Sequence, residues 1–593
     1  MPSSKNRARI GLLVRNRILL FCLFAFAASA RAAPTELVEE APVSIKQLSA
    51  EVVLLDFGRV TFGNLKLAPL AGASGSLTVH LGEALVGDRI NRTPPGAVRY
   101  AKVVVAMTGD RSVVVAPPPD KRNTTPPAIL TPPEWGTLLP FRWVELEGWR
   151  GKLEPGQVVR RSAYVRGWPT TAASFHTNDE VLNRIWELGR DSIKATSFAG
   201  VFVDGDRERI PYEADAYLNQ LSFYACNPDP TMVRDTFDRL VQFPTWPTEW
   251  APHLVFMAYA DWMQTGDRKW LAARYESLKR KLLLERAGPE GLIRSNPEQI
   301  RRGDIVDWPA GERDQFEFST VNTVVNAFHL RAVELMARLA DALERQDDAL
   351  EYKTRYRVTR TVFLKRLFDP ARGLFRDGEG VDHSSLHANL FPLAFGLVPE
   401  EKRAAVAEWL AQRGMVCSVY AAQYLLQALF ENGQDEAALA LMTAPGNRSW
   451  RHMLESGTTI TWEAWDQSYK PNQDWNHAWG AAPVNLLPTY VLGVRPRTPG
   501  WSEIEIRPAR RALLWSEGRV PTPRGPIEVR WDRQPHFHLR VSLPKGVAAH
   551  VALPPGDGTS RVFVNGREAA ATRDGAWLMV RATVSDTALI ELR

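Results

Sequence analysis

Three cysteines in 593 residues are too few for a disulfide scaffold, and no CxxC pair is present to hold a structural zinc or a redox centre. Past Ala33 no apolar run approaches the roughly 18 residues of a membrane-spanning helix. Neither a P-loop nor a G-x-G-x-x-G fingerprint occurs, which excludes the commonest nucleotide cradles. Gly72-Ala73-Ser74-Gly75 lacks the spacing of a G-x-S-x-G nucleophile elbow and lies in a strand-rich stretch rather than at a strand-to-helix turn. A strong excess of one charge is missing too, with 73 Lys+Arg against 67 Asp+Glu. Hydrophobic residues at 45% and charged residues at 24% are ordinary globular values, excluding a disordered, collagen-like or coiled-coil chain.

Tryptophan and proline are abundant instead. Twenty Trp and 42 Pro mark a loop-rich chain with many flat apolar surfaces, for which the faces of sugars are one natural partner. Residues 1–33 carry Lys5, Arg7, Arg9, Arg15 and Arg17, then the apolar run Ile18 to Ala28, then Ala30-Arg31-Ala32-Ala33. That order reads as a secretory signal peptide, and the run is too short for a membrane span. The expected product is periplasmic or extracellular and free of the membrane after cleavage; a retained N-terminal anchor is the alternative. The six cations of this leader face no acid, and subtracting them from 73 leaves 67 basic against 67 acidic side chains. The basic excess therefore belongs to the leader, and net charge gives no reason to expect a nucleic-acid or polyanion partner. Cys226 and Cys417 remain beyond it, their pairing open, as is the oligomeric state.

Between residues 34 and 172 the chain alternates apolar and polar residues in short runs bounded by Gly and Pro, as in Glu51–Phe57, Ser76–Leu81 and Phe141–Leu146. This predicts an antiparallel β-sandwich, in which Pro117–Pro133 is a surface loop. Near residue 177 the period changes. Asn178-Asp179-Glu180 opens a helix, and Val181, Ile185, Leu188 and Ile193 follow at helical spacing. Similar segments recur to about residue 491, ten to twelve in all. Such a run without strands between predicts, over 173–495, an all-α (α/α)6 toroid of helical hairpins carrying its chemistry on loops at one end. Alternation returns in Ile504–Arg507, Ile527–Trp531 and Phe537–Val541, so 496–593 is expected to be a second antiparallel β-sandwich.

The densest polar cluster is Asp204-Gly205-Asp206-Arg207-Glu208-Arg209-Ile210-Pro211-Tyr212-Glu213-Ala214-Asp215, on a loop entering a helix. Five carboxylates in twelve residues exceed what capping requires, although a solvated charged loop is the plain alternative. Asp204, Asp206, Glu208 and Asp215 fall at calcium-loop positions, but Arg209 stands where an EF-hand needs its Gly. A second cluster runs from Gly457 through Thr458, Thr459, Trp462, Glu463, Trp465 and Asp466 to Asp474-Trp475-Asn476-His477-Ala478-Trp479-Gly480. Carboxylates between aromatic faces suit a polyol, whose C–H faces stack while its hydroxyls hydrogen-bond. The alternative is that these tryptophans pack the core and that Glu463 pairs with an arginine. Asp304–Pro309, with Asp307 and Trp308, repeats the mixture in miniature. His536 and His538 share a strand face, where a surface pair is commoner than a metal site.

At these two clusters the sequence resembles the α-L-rhamnosidases of glycoside hydrolase family 78. The family's acid motif, D-C-P-x-R-E-R-x-x-W-x-G-D, matches Asp204 to Asp215, and its base motif, T-T-x-W-E-x-W-D followed by N-H-x-x-x-G, matches Thr458, Thr459, Trp462, Glu463, Trp465, Asp466, Asn476, His477 and Gly480. The likeness extends to Asp56-Phe57-Gly58, to Phe141–Trp149 and to Gly493–Pro508. Aligned on Arg207-Glu208-Arg209, the first motif is one residue short after its leading Asp. Tyr212 replaces the Trp, and Ala214 the Gly.

The resemblance implies an exo-acting, inverting enzyme that removes terminal α-L-rhamnosyl residues from oligosaccharides or glycosides. Glu208 would be its general acid and Glu463 its general base, about 6.5–9.5 Å apart to admit a water. It further implies that Asp204, Arg207, Arg209, Tyr212, Asp215, Asp307, Trp308, Trp462, Trp465 and His477 line the sugar site, with both arginines and Asp215 turned to sugar hydroxyls or other carboxylates. Two-carboxylate chemistry requires no metal and no cofactor; a structural calcium in a β-domain is left open. Another exo-glycosidase or a polysaccharide lyase on the same toroid, and a non-catalytic glycan-binding protein, are the competing readings.

Overall fold

The computed structural model describes residues 33–593 apart from 70–74, 108, 110, 511–512 and 555–560. Residues 1–32 of the leader and Gly72–Ser74 thus lie outside the described residues. The first region is one eight-stranded sheet in which every pair is antiparallel. Its spine is Val52–Leu67, which pairs with Leu139–Glu147 on one side and Val158–Val165 on the other. The spine shifts register between Asp56 and Thr61. At that bulge Gly58 adopts φ +77, the Asp56 carboxylate accepts its N–H at 2.7 Å, and Arg142 clamps the same carboxylate through Nε and Nη2 at 2.7 and 2.8 Å. The Asp56-Phe57-Gly58 and Phe141-Arg142-Trp143 segments are therefore two halves of one structural joint.

Alternation sends Val53, Leu55, Phe57, Leu77, Val79, Leu81, Val144 and Leu146 into a core on one face of this sheet. The other face carries Phe62 and Ala163 against Phe198, Ala199, Val201 and Val203, with the Phe62 and Phe198 rings stacked at 3.8 Å. The apolar run that feeds the acidic loop is thereby moored to the N-terminal sheet. Pro117–Pro133 is more than a surface loop. It forms a short helix, Lys121–Thr124, whose Asn123 is buried, and its Ile129 N–H donates to Arg209 O at 2.9 Å.

The helical domain begins at Glu180–Ala195, capped by Asp179, whose carboxylate accepts the Val181 and Leu182 N–H groups. Thereafter helices alternate in character. Glu213–Tyr224, His253–Thr265, Thr323–Ala342, Leu386–Ala394 and Val419–Glu431 are buried on nearly all faces. Thr231–Gln242, Arg268–Lys279, Gln346–Leu367, Arg403–Arg413 and Asp435–Met442 bury a single stripe and lie outside them. Each inner helix packs on the next, and Ala482–Leu487 touches both Val419–Glu431 and Glu213–Tyr224, closing the series. Leu386–Ala394, which holds Pro392, and Trp450–Glu455 join the helices expected from periodicity.

The C-terminal region has two sheets, of seven and five strands. It is not purely antiparallel, because Glu503–Ile506 pairs in parallel with Ala548–Leu553. The seven-stranded sheet also recruits Ser174–Thr177 from before the helical domain, paired with Trp515–Val520. Among the described residues no helix is long and apolar enough to cross a membrane. Cys226 and Cys417 are buried and unpaired.

Candidate active site

Four loops at one end of the helical domain enclose a cavity lined by Asp204, Arg207, Glu208, Tyr212 and Asp215, by Trp246, Trp250, Ile305 and Trp308, and by Glu463, His477 and Trp479. The first loop folds on itself. Asp204 N–H donates to Ile210 O, Ile210 N–H donates to the Asp204 carboxylate, and Arg209 N–H donates to Gly205 O. Gly205 sits at φ +109, and a Cβ there would come 2.7 Å from Asp474 Oδ2, so this turn needs glycine on both counts. The fourth loop is laced in the same way. His477 N–H donates to Thr461 O, Thr461 Oγ1 to His477 O, and Glu463 N–H to Asp474 O. Gly480 follows because a Cβ there would lie 2.7 Å from Thr461 Cβ.

Asp206 ties the two loops to the N-terminal sheet. Its buried carboxylate meets Arg99 Nε at 2.5 Å and Arg209 Nη2 at 2.6 Å, its N–H donates to Asn476 Oδ1, and its carbonyl accepts from Arg99 and Asn123. Asn476 in turn donates to Glu83 of the N-terminal region, a carboxyl that burial pushes up to about 8. Two residues beyond Asp206, the chain delivers Glu208 into the cavity.

The two glutamates differ in setting. The Glu208 side chain is 38% exposed at the mouth, and that of Glu463 is 2% exposed at the floor. Arg207 lies between them. Its Nη1 and Nη2 donate to the two Glu463 oxygens at 2.7 and 3.1 Å, and its Nε lies 3.5 Å from Glu208 Oε1. One planar guanidinium, about 2.3 Å across its fork, touches both groups, so their nearest oxygens lie within about 8.5 Å of one another. Burial alone would lower the Arg207 value, but the Glu463 contact outweighs it and raises it. Lys470 Nζ stands 3.4 Å from Glu463 Oε1. Tyr212 OH donates to Glu208 Oε2 at 3.2 Å, and burial with Asp204 and Glu208 nearby keeps the phenol protonated.

His477 is fully buried between Asp215, 2.7 Å from its Nε2, and Asp474, 3.4 Å from its Nδ1. Burial would depress the imidazole, yet the two carboxylates prevail and carry it up to about 10, so it is a cation at neutral pH. Asp204 is driven well up by burial, against the pull of His477.

Of the residues expected to line the site, Asp204, Arg207, Glu208, Tyr212, Asp215, Trp308, Glu463 and His477 meet in this cavity. Four do not. Arg209, at φ +54, turns away to Asp206 and Leu138 O and lies over the Phe198 ring. Asp307 is consumed by His387 Nε2, Ser418 N–H and Ser418 Oγ. Trp462 stacks on Trp475 at 4.6 Å. Trp465 is fully buried, with Nε1 donating to Cys417 O. Both tryptophans pack in the core, and Glu463 pairs with an arginine.

Trp246, Trp250, Ile305 and Trp479 were not among the expected lining residues. Trp479 stood in the second motif, with Nε1 now donating to Glu463 O at 3.0 Å, and Ile305 in the Asp304–Pro309 patch, whereas no local pattern marks Trp246 or Trp250. Buried Glu249 positions Trp308 indirectly. Its oxygens accept the Ile305 and Val306 N–H groups at 3.0 and 2.9 Å and hold β-branched Val306 at φ +60. Burial and Asp304 raise Glu249 to about 7. Glu463, Asp474 and His477 place ligand atoms within 4.8 Å of one another and are the one group of described residues that could hold a metal. The donor set argues against it, since His477 carries a proton and Arg207 and Lys470 already occupy the Glu463 oxygens.

Residues 170–491 match the family model of the bacterial α-L-rhamnosidase six-hairpin glycosidase domain, and 493–568 that of the bacterial α-L-rhamnosidase C-terminal domain. An α-L-rhamnosidase of Alteromonas sp. (strain LOR) is 25% identical over 575 residues, covering 86% of this chain and 57% of the relative. One from Streptomyces avermitilis is 23% identical over 325 residues, covering 51% and 29%. The chain thus spans well under two thirds of these relatives' length. Among solved structures, an α-L-rhamnosidase from Dictyoglumus thermophilum superposes with a TM-score of 0.77 at 17% identity, covering 95% of this chain and 64% of the other. The S. avermitilis α-L-rhamnosidase complexed with L-rhamnose gives 0.76 at 20% identity, covering 95% and 54%.

Proposed function

The chain belongs to the bacterial α-L-rhamnosidase family of six-hairpin glycosidases, and on that premise we propose that it is an exo-acting α-L-rhamnosidase that works with inversion. The closed series of inner helices, each backed by an outer one, supports an (α/α)6 toroid, flanked by the eight-stranded N-terminal sheet and the two-sheet C-terminal region. The observation that carries the functional reading is the pair of glutamates held on one guanidinium in an aromatic-walled cavity. Glu208, at the mouth, protonates the departing oxygen. Glu463, on the floor, takes a proton from the water that attacks the opposite face of the sugar, and Arg207, donating to both of its oxygens, keeps it aimed. The upper bound of about 8.5 Å overlaps the lower part of the 6.5–9.5 Å gap that such a water needs, and the anomer released first decides between inversion and retention. Asp204, Asp215 and the His477 cation offer hydrogen bonds to hydroxyls at the blind end, and Trp250, Trp308 and Trp479 wall the C–H faces.

Glu208→Gln and Glu463→Gln should each lower kcat on an aryl α-L-rhamnoside about 10²–10⁴-fold. Near-wild-type turnover in either would overturn its assigned role. Proton NMR of the first-released sugar should show the β anomer, and α first would mean retention. We further propose that the leader exports the protein; N-terminal sequencing of the periplasmic or secreted form should read from Pro34.

A further inference from the structure

The charge balance of the chain conceals a local excess beside the active site. Trp246, Ile305 and Trp308 form one wall of the sugar cavity and at the same time line an adjoining groove completed by Arg301, Arg302, Asp304 and Arg313. Trp246 is 56% exposed, a large aromatic face left open to solvent where the two cavities meet. Asp304 does not neutralise the groove. It is fully buried and engaged by Ser295 Oγ at 2.5 Å, Asn322 Nδ2 at 3.0 Å and Arg286 at 3.3 Å. Arg301 and Arg302 share the single carboxylate of Glu298 and remain 66% and 76% exposed. Arg313 donates from Nε to Asp307 O at 3.1 Å and lies over the Phe318 ring; among the described residues no carboxylate pairs with it. Three guanidinia therefore answer to one accessible acid, next to two tryptophans and one step outside the sugar pocket.

Resting on the rhamnosidase reading, we propose that this groove is the aglycone subsite and that it takes a hexuronate, so that the substrates are rhamnosyl uronosides. The ring of the leaving sugar stacks on Trp246 and Trp308, and its carboxylate is met by the fork donors of Arg301, Arg302 and Arg313. Arginine is the side chain suited to this, being planar, weakly hydrated and able to bind a carboxylate through two parallel hydrogen bonds. Buried Glu249 and Asp307 act on Arg313 from behind the groove, while a neutral aglycone would leave exposed Arg301 and Arg302 with Glu298 alone. The leaving sugar sits on the side where Glu208, the more exposed glutamate, hands over its proton.

Three substrates test this together: α-L-rhamnosyl-(1→4)-D-glucuronic acid, its methyl ester, and 4-nitrophenyl α-L-rhamnoside. The free acid should exceed the ester in kcat/KM by about tenfold or more at low salt. That ratio should collapse toward one in Arg301→Gln/Arg302→Gln, whose exposed side chains leave the fold undisturbed, in Arg313→Gln, and in the wild type at high salt. If all three substrates are cleaved with acid and ester equal in the wild type, or if the preference survives in both variants, the uronate subsite is refuted and the rhamnosidase reading stands. If none of the three is cleaved, the rhamnosidase reading fails and takes the subsite with it.

Discussion

Raising the pH should cost this protein stability, and the largest share should come from His477. Its imidazole is carried from an ordinary 6.5 to about 10 because it is buried between Asp215 and Asp474. A histidine raised in the folded state stabilises fully below its unfolded value, and that contribution is lost as pH climbs through the folded value. At about 1.4 kcal/mol per tenfold change in proton affinity, the full contribution is about 5 kcal/mol. About 4 kcal/mol of it is present at pH 7 and about 1 kcal/mol is left at pH 9.5. Urea unfolding followed by tryptophan fluorescence between these two pH values should show, beside the smaller losses from buried Glu83 and Glu249, whose carboxyls are pushed up to about 8 and about 7, a loss of about 3 kcal/mol from His477 in the wild type. His477→Gln should begin about 3–5 kcal/mol less stable, because two buried carboxylates lose their cation, and should lack this loss. Parallel pH dependence in wild type and variant over the window would show that the imidazole is not held as a cation, and the electrostatic account of the cavity floor would fall with it.

Asp206→Ala strands buried Arg209 and leaves buried Arg99 with Asp120 alone, and should lower stability by about 3–5 kcal/mol in thermal unfolding; it should also lower kcat, since the loop carrying Glu208 loses its anchor. Asp206→Asn, which keeps the shape, should recover part of both. Dialysis against a chelator should leave kcat on an aryl rhamnoside unchanged, because a guanidinium and an ammonium already occupy the Glu463 oxygens and His477 is held protonated; loss of activity restored by a divalent ion would contradict this.

The three-part order was legible because the apolar period changes from two to helical near residue 177 and back near 496. Leu386–Ala394 was not, since a helix apolar on all faces shows no stripe, and its Pro392 argues locally against a helix. Ser174–Thr177 pairs with a strand more than 330 residues away, a partnership that no local pattern reveals. In the site, side chains within the two motifs were found in the right neighbourhood but not always on the right side. Arg207 and Arg209 are two apart and look equivalent on paper, yet the positive φ at Arg209 turns it to Asp206 while Arg207 faces Glu463. Trp462 and Trp465 flank Glu463 but point into the core.

What the sequence hid most completely is the part the N-terminal sheet plays in holding the active-site loops. Arg99 and Glu83 stand on loops between strands and Asn123 on the short helix Lys121–Thr124, and no motif sets them apart from ordinary surface polar residues. Their roles exist only once Asp206 and Asn476 are brought to them. Val60 N–H donates to Thr459 Oγ1 at 2.8 Å, and Ala97 N–H to Gln473 O at 3.0 Å, so the sheet grips the Glu463 loop as well as the Glu208 loop. The positions of two glutamates 255 residues apart in sequence are thus set against a common third body. A shift of either loop must break buried, charge-assisted contacts worth about 1.5–3 kcal/mol each. That explains why a helical domain carrying both glutamates keeps a β-region bound against its open end.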